Sequence, residues 1–139
     1  MRSFVDTNVL VYAVDKTNPH KTSIAAEVLE TRAVELVVSA QVLSEFYVVT
    51  TRRLAEPLGE EAAAAFVNDL ERLPVVAIDF DVVRDGIQIS REARLSYWDG
   101  LIVAAARQAG CDVVLTEDLS HDATIAGVRV ENPFLATAS

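Results

Sequence analysis

Short, continuous apolar runs alternate along the chain with longer segments in which apolar residues recur at helical spacing. The short runs are typical of buried strands and cover residues 4–5, 36–38, 75–78, 113–115 and about 128–130. The longer segments predict helices over residues 20–32, 40–54, 60–73, 80–93 and 96–109. Pro74 and Gly110 stand where two of these helices are expected to end.

This alternation of strands and helices predicts an α/β fold, with a central parallel sheet of four to five strands covered by helices on both faces. Residues 101–106 are apolar on every side, so their helix is expected to be central and buried. No linker, repeat or low-complexity segment interrupts the pattern, and the whole chain, residues 1–139, is expected to form a single domain.

The charge balance narrows the classes of function. The net charge is −9, and the cations are two lysines and ten arginines. A chain this acidic is a poor candidate for non-specific nucleic-acid binding through phosphate neutralisation, although nucleic acid can still be its substrate. The same charge suits a basic protein partner.

No apolar run approaches the roughly 20 residues of a membrane span. Asp6 interrupts any signal-peptide core, so a cytoplasmic protein without a membrane segment is expected. Cys111 is the only cysteine, which excludes an internal disulfide, and no Cys/His set has the spacing of a zinc site.

Four acids occupy positions that the predicted sheet brings towards one edge. Asp6 ends the first strand, and Asp118 lies just beyond the fourth. Glu45 lies in the helix after the second strand, and Asp99 in the first turn of the buried helix. Ligand sites of open parallel sheets lie beyond the carboxyl ends of the strands, which makes this edge the candidate site.

Each acid also has a purely structural interpretation. Asp6 is a good helix N-cap, and Asp99 fits a capping box that begins at Ser96. Asp118 fits an Asx-turn after its strand, and Glu45 fits an exposed helical stripe. Taken singly, the structural interpretation is favoured for Asp6, Asp99 and Asp118, and for Glu45 it competes evenly with a functional one.

Taken together, the acids indicate a cation site. Several carboxylates at one sheet edge raise each other's pKa unless a cation holds them. Oxygen ligands without Cys or His favour Mg²⁺ or Mn²⁺, and such ions suit phosphodiester hydrolysis. Asn8 and Thr116 are the neutral neighbours expected to orient the carboxylates.

The sequence resembles the PIN-domain ribonucleases, and specifically the VapC-like toxins of type II toxin–antitoxin systems. The resemblance runs from about residue 2 to 134. The matching segments are FVDTNVL at 4–10, SEF at 44–46, SYWDGLIVAAA at 96–106, LTEDL at 115–119 and IAGVRVENPF at 125–134.

This resemblance implies a three-layer PIN-like fold and Mg²⁺- or Mn²⁺-dependent cleavage of RNA. By position, the acidic quartet is Asp6, Glu45, Asp99 and Asp118, supported by Asn8 and Thr116. Asp6 and Asp99 are implied as the principal metal ligands, with Glu45 and Asp118 shaping a second site or reaching the metal through water. The implied partners are a cognate antitoxin, an RNA substrate and a second copy of the chain.

One departure from the family pattern concerns residues 120–123, where relatives often have a glycine. It makes Asp122 a candidate for an additional or substitute acid, although Asp118 remains the expected one. Arg52, Arg53, Arg91 and Arg94 are candidates for contacts to the RNA backbone. Tyr97 and Trp98 can stack on bases, but their position beside a buried helix favours a role in the core.

Three other functions remain open at this point. The first is a housekeeping RNA-processing nuclease of the same family, and the second is a PIN-like protein that binds RNA or a partner without cutting. The third is a receiver-like regulatory module with Asp79 as its phosphate acceptor. The third is disfavoured because no lysine follows Lys21.

Overall fold

A computed structural model describes residues 1–135 of the protein. The six strands are β1 Ser3–Val5, β2 Leu36–Ser39, β3 Val75–Val76, β4 Val113–Leu115, β5 Thr124–Ile125 and β6 Val128–Glu131. The six α-helices are α1 Thr7–Val14, α2 Pro19–Thr31, α3 Ala40–Arg52, α4 Glu60–Asp69, α5 Phe80–Ala93 and α6 Tyr97–Gln108. Two short 3₁₀ helices cover Ala33–Glu35 and Leu70–Arg72.

The strands form one sheet in the order β3-β2-β1-β4-β6-β5. The first five strands in this order are parallel, and β5 pairs antiparallel with β6. Every residue of β1, β2 and β4 is buried, and because successive side chains point to opposite faces, these strands are covered on both sides. The predicted α/β class with a central parallel sheet is confirmed.

Helix starts follow capping side chains. Asp6, Ser39, Asp79 and Ser96 each accept a hydrogen bond from a backbone N–H in the first turn of α1, α3, α5 and α6, respectively. Asp6 directly follows β1, and Ser39 is the last residue of β2. The capping positions therefore place the first turns of α1 and α3 at the carboxyl ends of β1 and β2.

Helix α6 is the central helix that the apolar pattern predicts. Its residues from Leu101 to Ala106 are all buried. Helix α5 packs closely against it at a crossing between Gly86 and Gly100. A Cβ atom on Gly100 would lie 2.5 Å from the Gly86 carbonyl oxygen, so only glycine allows this approach. The crossing fixes the position of Asp99, the residue just before it.

Within residues 1–135, no helix has both the length and the apolar character needed to cross a lipid bilayer.

Candidate active site

The Asp6 side chain lies at the carboxyl end of β1 and is only 5% exposed. Its Oδ1 accepts a hydrogen bond of 2.7 Å from the Thr7 amide, so the N-cap interpretation holds for this oxygen. Its Oδ2 accepts a bond of 2.8 Å from the Thr116 hydroxyl at the end of the neighbouring strand β4. The Asp6 carboxylate therefore caps helix α1 with one oxygen and binds Thr116 in the cleft between two strand ends with the other.

Asn8 connects the residues around this cleft. Its side-chain NH₂ group donates to Asp118 Oδ2 at 3.0 Å and to Thr116 Oγ1 at 3.1 Å, with a longer contact of 3.4 Å to Asp6 Oδ2. Its side-chain oxygen accepts from the Glu117 amide at 3.3 Å. Asn8 thus holds the segment after β4 against the segment after β1.

Thr116 completes this network from β4. Besides donating to Asp6, its hydroxyl oxygen accepts a hydrogen bond of 3.0 Å from the Asp118 amide. Thr116 is fully buried, so its hydroxyl has no alternative partner in bulk water. One buried hydroxyl thus holds the Asp6 carboxylate and the Asp118 backbone, while Asn8 contacts the Asp118 carboxylate.

Asp99 enters from the first turn of α6. Its amide donates to the Ser96 hydroxyl at 3.1 Å, which is one of the two hydrogen bonds of a capping box. Partial burial is the main cause that raises the pKa of Asp99, and the charge of Asp118 adds to it, while a hydrogen bond with Ser96 opposes both. Asp99 therefore takes part in both the cap of α6 and the acidic cleft.

Glu45 enters from α3 and has an exposed side chain, as its alternative interpretation allowed. Gln41 donates to its carboxylate at 2.9 Å. The pKa of Glu45 is nevertheless raised, mainly because the protein shields the carboxylate from water, and further by the charges of Asp99 and Asp118. The hydrogen bond from Gln41 and the charge of Arg53 oppose this shift.

The charges of Asp99 and Asp118 raise the pKa of the other two acids, Asp6 and Glu45. Burial raises the pKa of Asp6 to about 7, and the charges of Asp118 and Asp99 push in the same direction. Hydrogen bonds from Thr116 and Thr7 lower it but do not compensate for the burial. The cleft thus contains a carboxyl group whose pKa is raised towards neutral pH, because negative charge and low solvent access coincide there.

These side chains do not form a finished coordination sphere. Among residues 1–135, no group of three or more His, Cys, Asp or Glu side chains is arranged closely enough to hold a metal ion. The oxygen donors are nevertheless of the type that Mg²⁺ and Mn²⁺ use. Joint binding of one ion by three of them therefore requires side-chain rotation into the cleft.

A groove adjoins Glu45 and has a volume of about 710 Å³. The groove is lined by residues of α3 and its C-cap, by two residues of α6 and by Ile78. The lining residues besides Ile78 are Ala40, Gln41, Ser44, Glu45, Val48, Val49, Arg53, Trp98 and Leu101. Trp98 is 62% exposed, so the expectation that it belongs to the core is wrong. It lies in the first turn of α6, before the helix reaches the buried residues of the core.

The four candidate arginines have different environments. Arg53 lines the groove, whereas Arg91 lies on α5 beside Arg84 in a separate depression. Arg94 ends α5 in a left-handed conformation with φ of 57°. Arg52 is exposed in the last turn of α3. Of the four, Arg53 is the one that the structure places beside an acid of the quartet.

Asp122 lies apart from the quartet in its interactions. Its carboxylate is within 3.4 Å of both Arg129 and His121, and all three side chains belong to the segment from the end of the Asp118 turn to β6. Its backbone has a φ of 67°, a conformation in which aspartate is tolerated better than most residues. Asp122 therefore lies in a surface cluster with Arg129 and His121.

Sequence reasoning missed one supporting group, formed by Tyr12, Lys21 and Glu117. Lys21 Nζ lies 2.7 Å from Glu117 Oε2, and the Tyr12 hydroxyl donates to Glu117 Oε1 at 2.6 Å. Lys21 also lies over the rings of Tyr12 and Phe134. This group fixes the residue between Thr116 and Asp118. No sequence spacing reveals it, because Glu117 is 105 positions from Tyr12 and 96 from Lys21.

Comparisons with known proteins agree with the fold described above. The family profile described as PIN domain matches residues 3–125. A DNA-bound VapBC structure from Salmonella typhimurium is similar at 24% identity, covering 96% of this chain and 98% of that one, with a TM-score of 0.69. A search of curated proteins finds no match.

Two further solved structures have the same fold. One is a toxin–antitoxin complex from Klebsiella pneumoniae, at 19% identity, covering 94% of this chain and 97% of that one, with a TM-score of 0.69. The other is the Mycobacterium tuberculosis toxin VapC20, described as cleaving the sarcin–ricin loop, at 21% identity. That likeness covers 91% of this chain and 98% of the toxin, with a TM-score of 0.69.

Proposed function

The chain belongs to the PIN domain family, and from this premise we propose that it is an endoribonuclease dependent on Mg²⁺ or Mn²⁺. The observation that carries the proposal is the position of Asp6. A carboxylate is buried between two strand ends, beside the charges of Asp118 and Asp99, and its pKa is raised to about 7. Such an arrangement is costly for stability and is characteristic of sites that hold a cation or move a proton.

Asp6 and Asp99 are the proposed direct metal ligands, with Glu45 and Asp118 completing a second position or acting through water. When bound there, Mg²⁺ or Mn²⁺ supplies positive charge that polarises a phosphodiester and lowers the pKa of water. Asn8 and Thr116 keep the Asp6 and Asp118 carboxylates facing the cleft by the hydrogen bonds described above. The protein's own contribution is therefore orientation of the acids and partial exclusion of water.

We further propose that the protein is the toxin of a toxin–antitoxin pair. Its fold is that of several chains solved within VapBC and other toxin–antitoxin complexes, and almost their whole length is covered. The net charge of −9 suits a basic antitoxin segment. A second copy of the chain is a further proposed partner, which sedimentation of the purified protein can test.

Cleavage of a defined RNA tests the nuclease proposal. Purified protein is incubated with end-labelled single-stranded and hairpin RNAs in Mg²⁺, in Mn²⁺ and in EDTA. Internal cuts that need the divalent ion are expected. RNA that stays intact under all three conditions contradicts an enzymatic role and leaves RNA or partner binding without cutting.

Expression in a bacterial host tests the toxin proposal separately. Growth arrest on induction, relieved when the reading frame adjacent to the gene is co-expressed, is the result expected of a toxin. Normal growth with specific changes in the ends of one stable RNA would instead show a housekeeping nuclease.

A further inference from the structure

Trp98 is the large aromatic side chain beside the acidic cleft, and most of it is open to solvent. It immediately precedes Asp99 in α6 and is 62% exposed. The Tyr97 ring packs edge-to-face against it, with centroids 5.1 Å apart and an interplanar angle of 61°. An exposed indole forgoes the stabilisation that burial would give, and such surfaces are common in ligand contacts.

The groove in which Trp98 lies is connected to the acids through Gln41. The Gln41 side-chain NH₂ group donates to the Trp98 carbonyl at 3.2 Å and to Glu45 Oε1 at 2.9 Å. Leu101 and Ile78 give the groove an apolar floor, and Arg53 lies on its α3 side. An aromatic ring, an apolar floor and a guanidinium thus occur together in one groove that opens beside Glu45.

Charge limits what can bind beside this cleft. The protein has a net charge of −9, and the acids themselves repel phosphate groups. Among the described residues that line the groove, Arg53 is the only cation. Phosphate neutralisation alone therefore supplies little affinity for RNA. Stacking of a base on an aromatic ring does not depend on charge and is effective with any base.

We propose that this groove binds a nucleobase of single-stranded RNA, stacked on the indole of Trp98, while Arg53 contacts a neighbouring phosphate. The inference rests on the proposed function and adds a binding site for the substrate next to the acids. Trp98 thereby positions the chain of the RNA so that a phosphodiester reaches Asp99, the next residue in α6.

Tryptophan fluorescence reports directly on this groove, because Trp98 is the only tryptophan of the chain. Wild-type protein in EDTA is titrated with a single-stranded RNA and with an abasic oligonucleotide of equal length and charge. Quenching of the indole emission by the base-bearing RNA, with little change for the abasic one, is the expected result. Equal responses to both oligonucleotides, or none to either, would overturn the proposal.

Substitutions of Trp98 and Arg53 distinguish the contribution of base stacking to RNA binding from that of charge. Trp98→Ala is expected to raise KM for RNA about 5- to 100-fold with kcat changed less than about twofold, and Trp98→Phe to restore most of the loss. Val34→Ala, a truncation of another exposed apolar residue, is the matched control and should leave KM unchanged. Thermal unfolding verifies that all three variants fold.

Arg53→Gln is expected to weaken the binding of base-bearing and abasic oligonucleotides to the same extent and to reduce the salt dependence of binding. Arg107→Gln, at the opposite end of α6, is its control. If wild-type protein cuts RNA and Trp98→Ala cuts it with the same KM, the inference fails while the nuclease proposal stands. If wild-type protein does not cut, the nuclease proposal fails, and the fluorescence titration alone decides base binding.

Discussion

The side-chain nitrogen of Asn8 lies 3.0 Å from a carboxylate oxygen of Asp118, a residue 110 positions further along the chain. The two loops meet because β1 and β4 are parallel neighbours, with Val5 opposite Leu115 in the last register pair. The amide donates while the carboxylate accepts, so a neutral group stands between acids. This contact makes the candidate site sensitive to one isosteric substitution.

Asn8→Asp is therefore expected to destabilise the metal-free protein by about 1–3 kcal/mol. The new carboxylate replaces a donor by an acceptor and places a like charge against Asp118. Asn18→Asp makes the same chemical change at the N-cap of α2, where aspartate caps as well as asparagine does, and should be nearly neutral. Urea denaturation at pH 8 in EDTA measures both. Equal stability of the two variants would show that the Asn8 contact is unimportant.

The crossing of α5 and α6 gives a second prediction. A Cβ atom on Gly100 would lie 2.5 Å from the Gly86 carbonyl oxygen and 2.9 Å from Ser90 Cβ, so Gly100→Ala forces the helices apart. A loss of about 1–3 kcal/mol in the free energy of unfolding is expected, with reduced cleavage because Asp99 moves. Gly59→Ala, where the new Cβ would meet nothing within 4 Å, should change stability by about 1 kcal/mol or less. Similar losses at both glycines would contradict this packing argument.

The raised pKa of Asp6 predicts how the stability of the folded protein changes with pH. Its pKa is raised from 3.8 to about 7 by burial, so the folded protein binds this proton more tightly than the unfolded chain does. Between about pH 4 and pH 7 the free energy of unfolding in EDTA should therefore fall as pH rises, by at most about 4 kcal/mol from this group. Asp6→Asn removes the ionisation and should flatten most of that slope. A wild-type stability that increases across this window would contradict the account.

Metal linkage gives a fourth prediction. Mn²⁺ or Mg²⁺ at about 100 times its dissociation constant should stabilise the folded protein by about 2.7 kcal/mol and raise Tm accordingly. At one fixed metal concentration the rise should be larger at pH 8 than at pH 6, because the ligands must lose their protons to bind the ion. Asp6→Asn should abolish it, whereas Asp122→Asn should retain it, since Asp122 pairs with Arg129 and His121. If Asp122→Asn also loses the Tm rise, Asp122 is a metal ligand after all.

Much of the fold follows from local sequence patterns. Helix α5 has the predicted bounds, because Asp79 caps it and its apolar positions recur at helical spacing. Strand β5, Thr124–Ile125, is too short to show a period and was not predicted. Helix α4 ends at Asp69, before the predicted residue 73, since the chain tightens into a 3₁₀ turn ahead of Pro74.

The candidate site depends more on tertiary placement. Sequence order indicates that strand ends share one edge, but it does not reveal that β1 and β4 are neighbours, which brings Asn8 to Asp118. Nor does it distinguish Arg52 from Arg53, because one residue turns a helix by about 100°. Trp98 looked like a core residue from its apolar neighbours, yet it lies in the exposed first turn of α6. Each of these outcomes depends on packing that no local pattern contains.

The cleavage activity of Asp99→Asn tests the central claim most directly. The variant removes one charge from the proposed ligand set and keeps the helix cap, because the Ser96 hydroxyl bonds the residue's backbone amide. Asp69→Asn, on the surface at the end of α4, is the matched control. With both proteins folded and assayed on the same RNA in Mg²⁺, the account predicts at least about 100-fold slower cutting by Asp99→Asn and wild-type rates for Asp69→Asn. Wild-type rates for Asp99→Asn would contradict the assignment of this acidic cleft as the catalytic site.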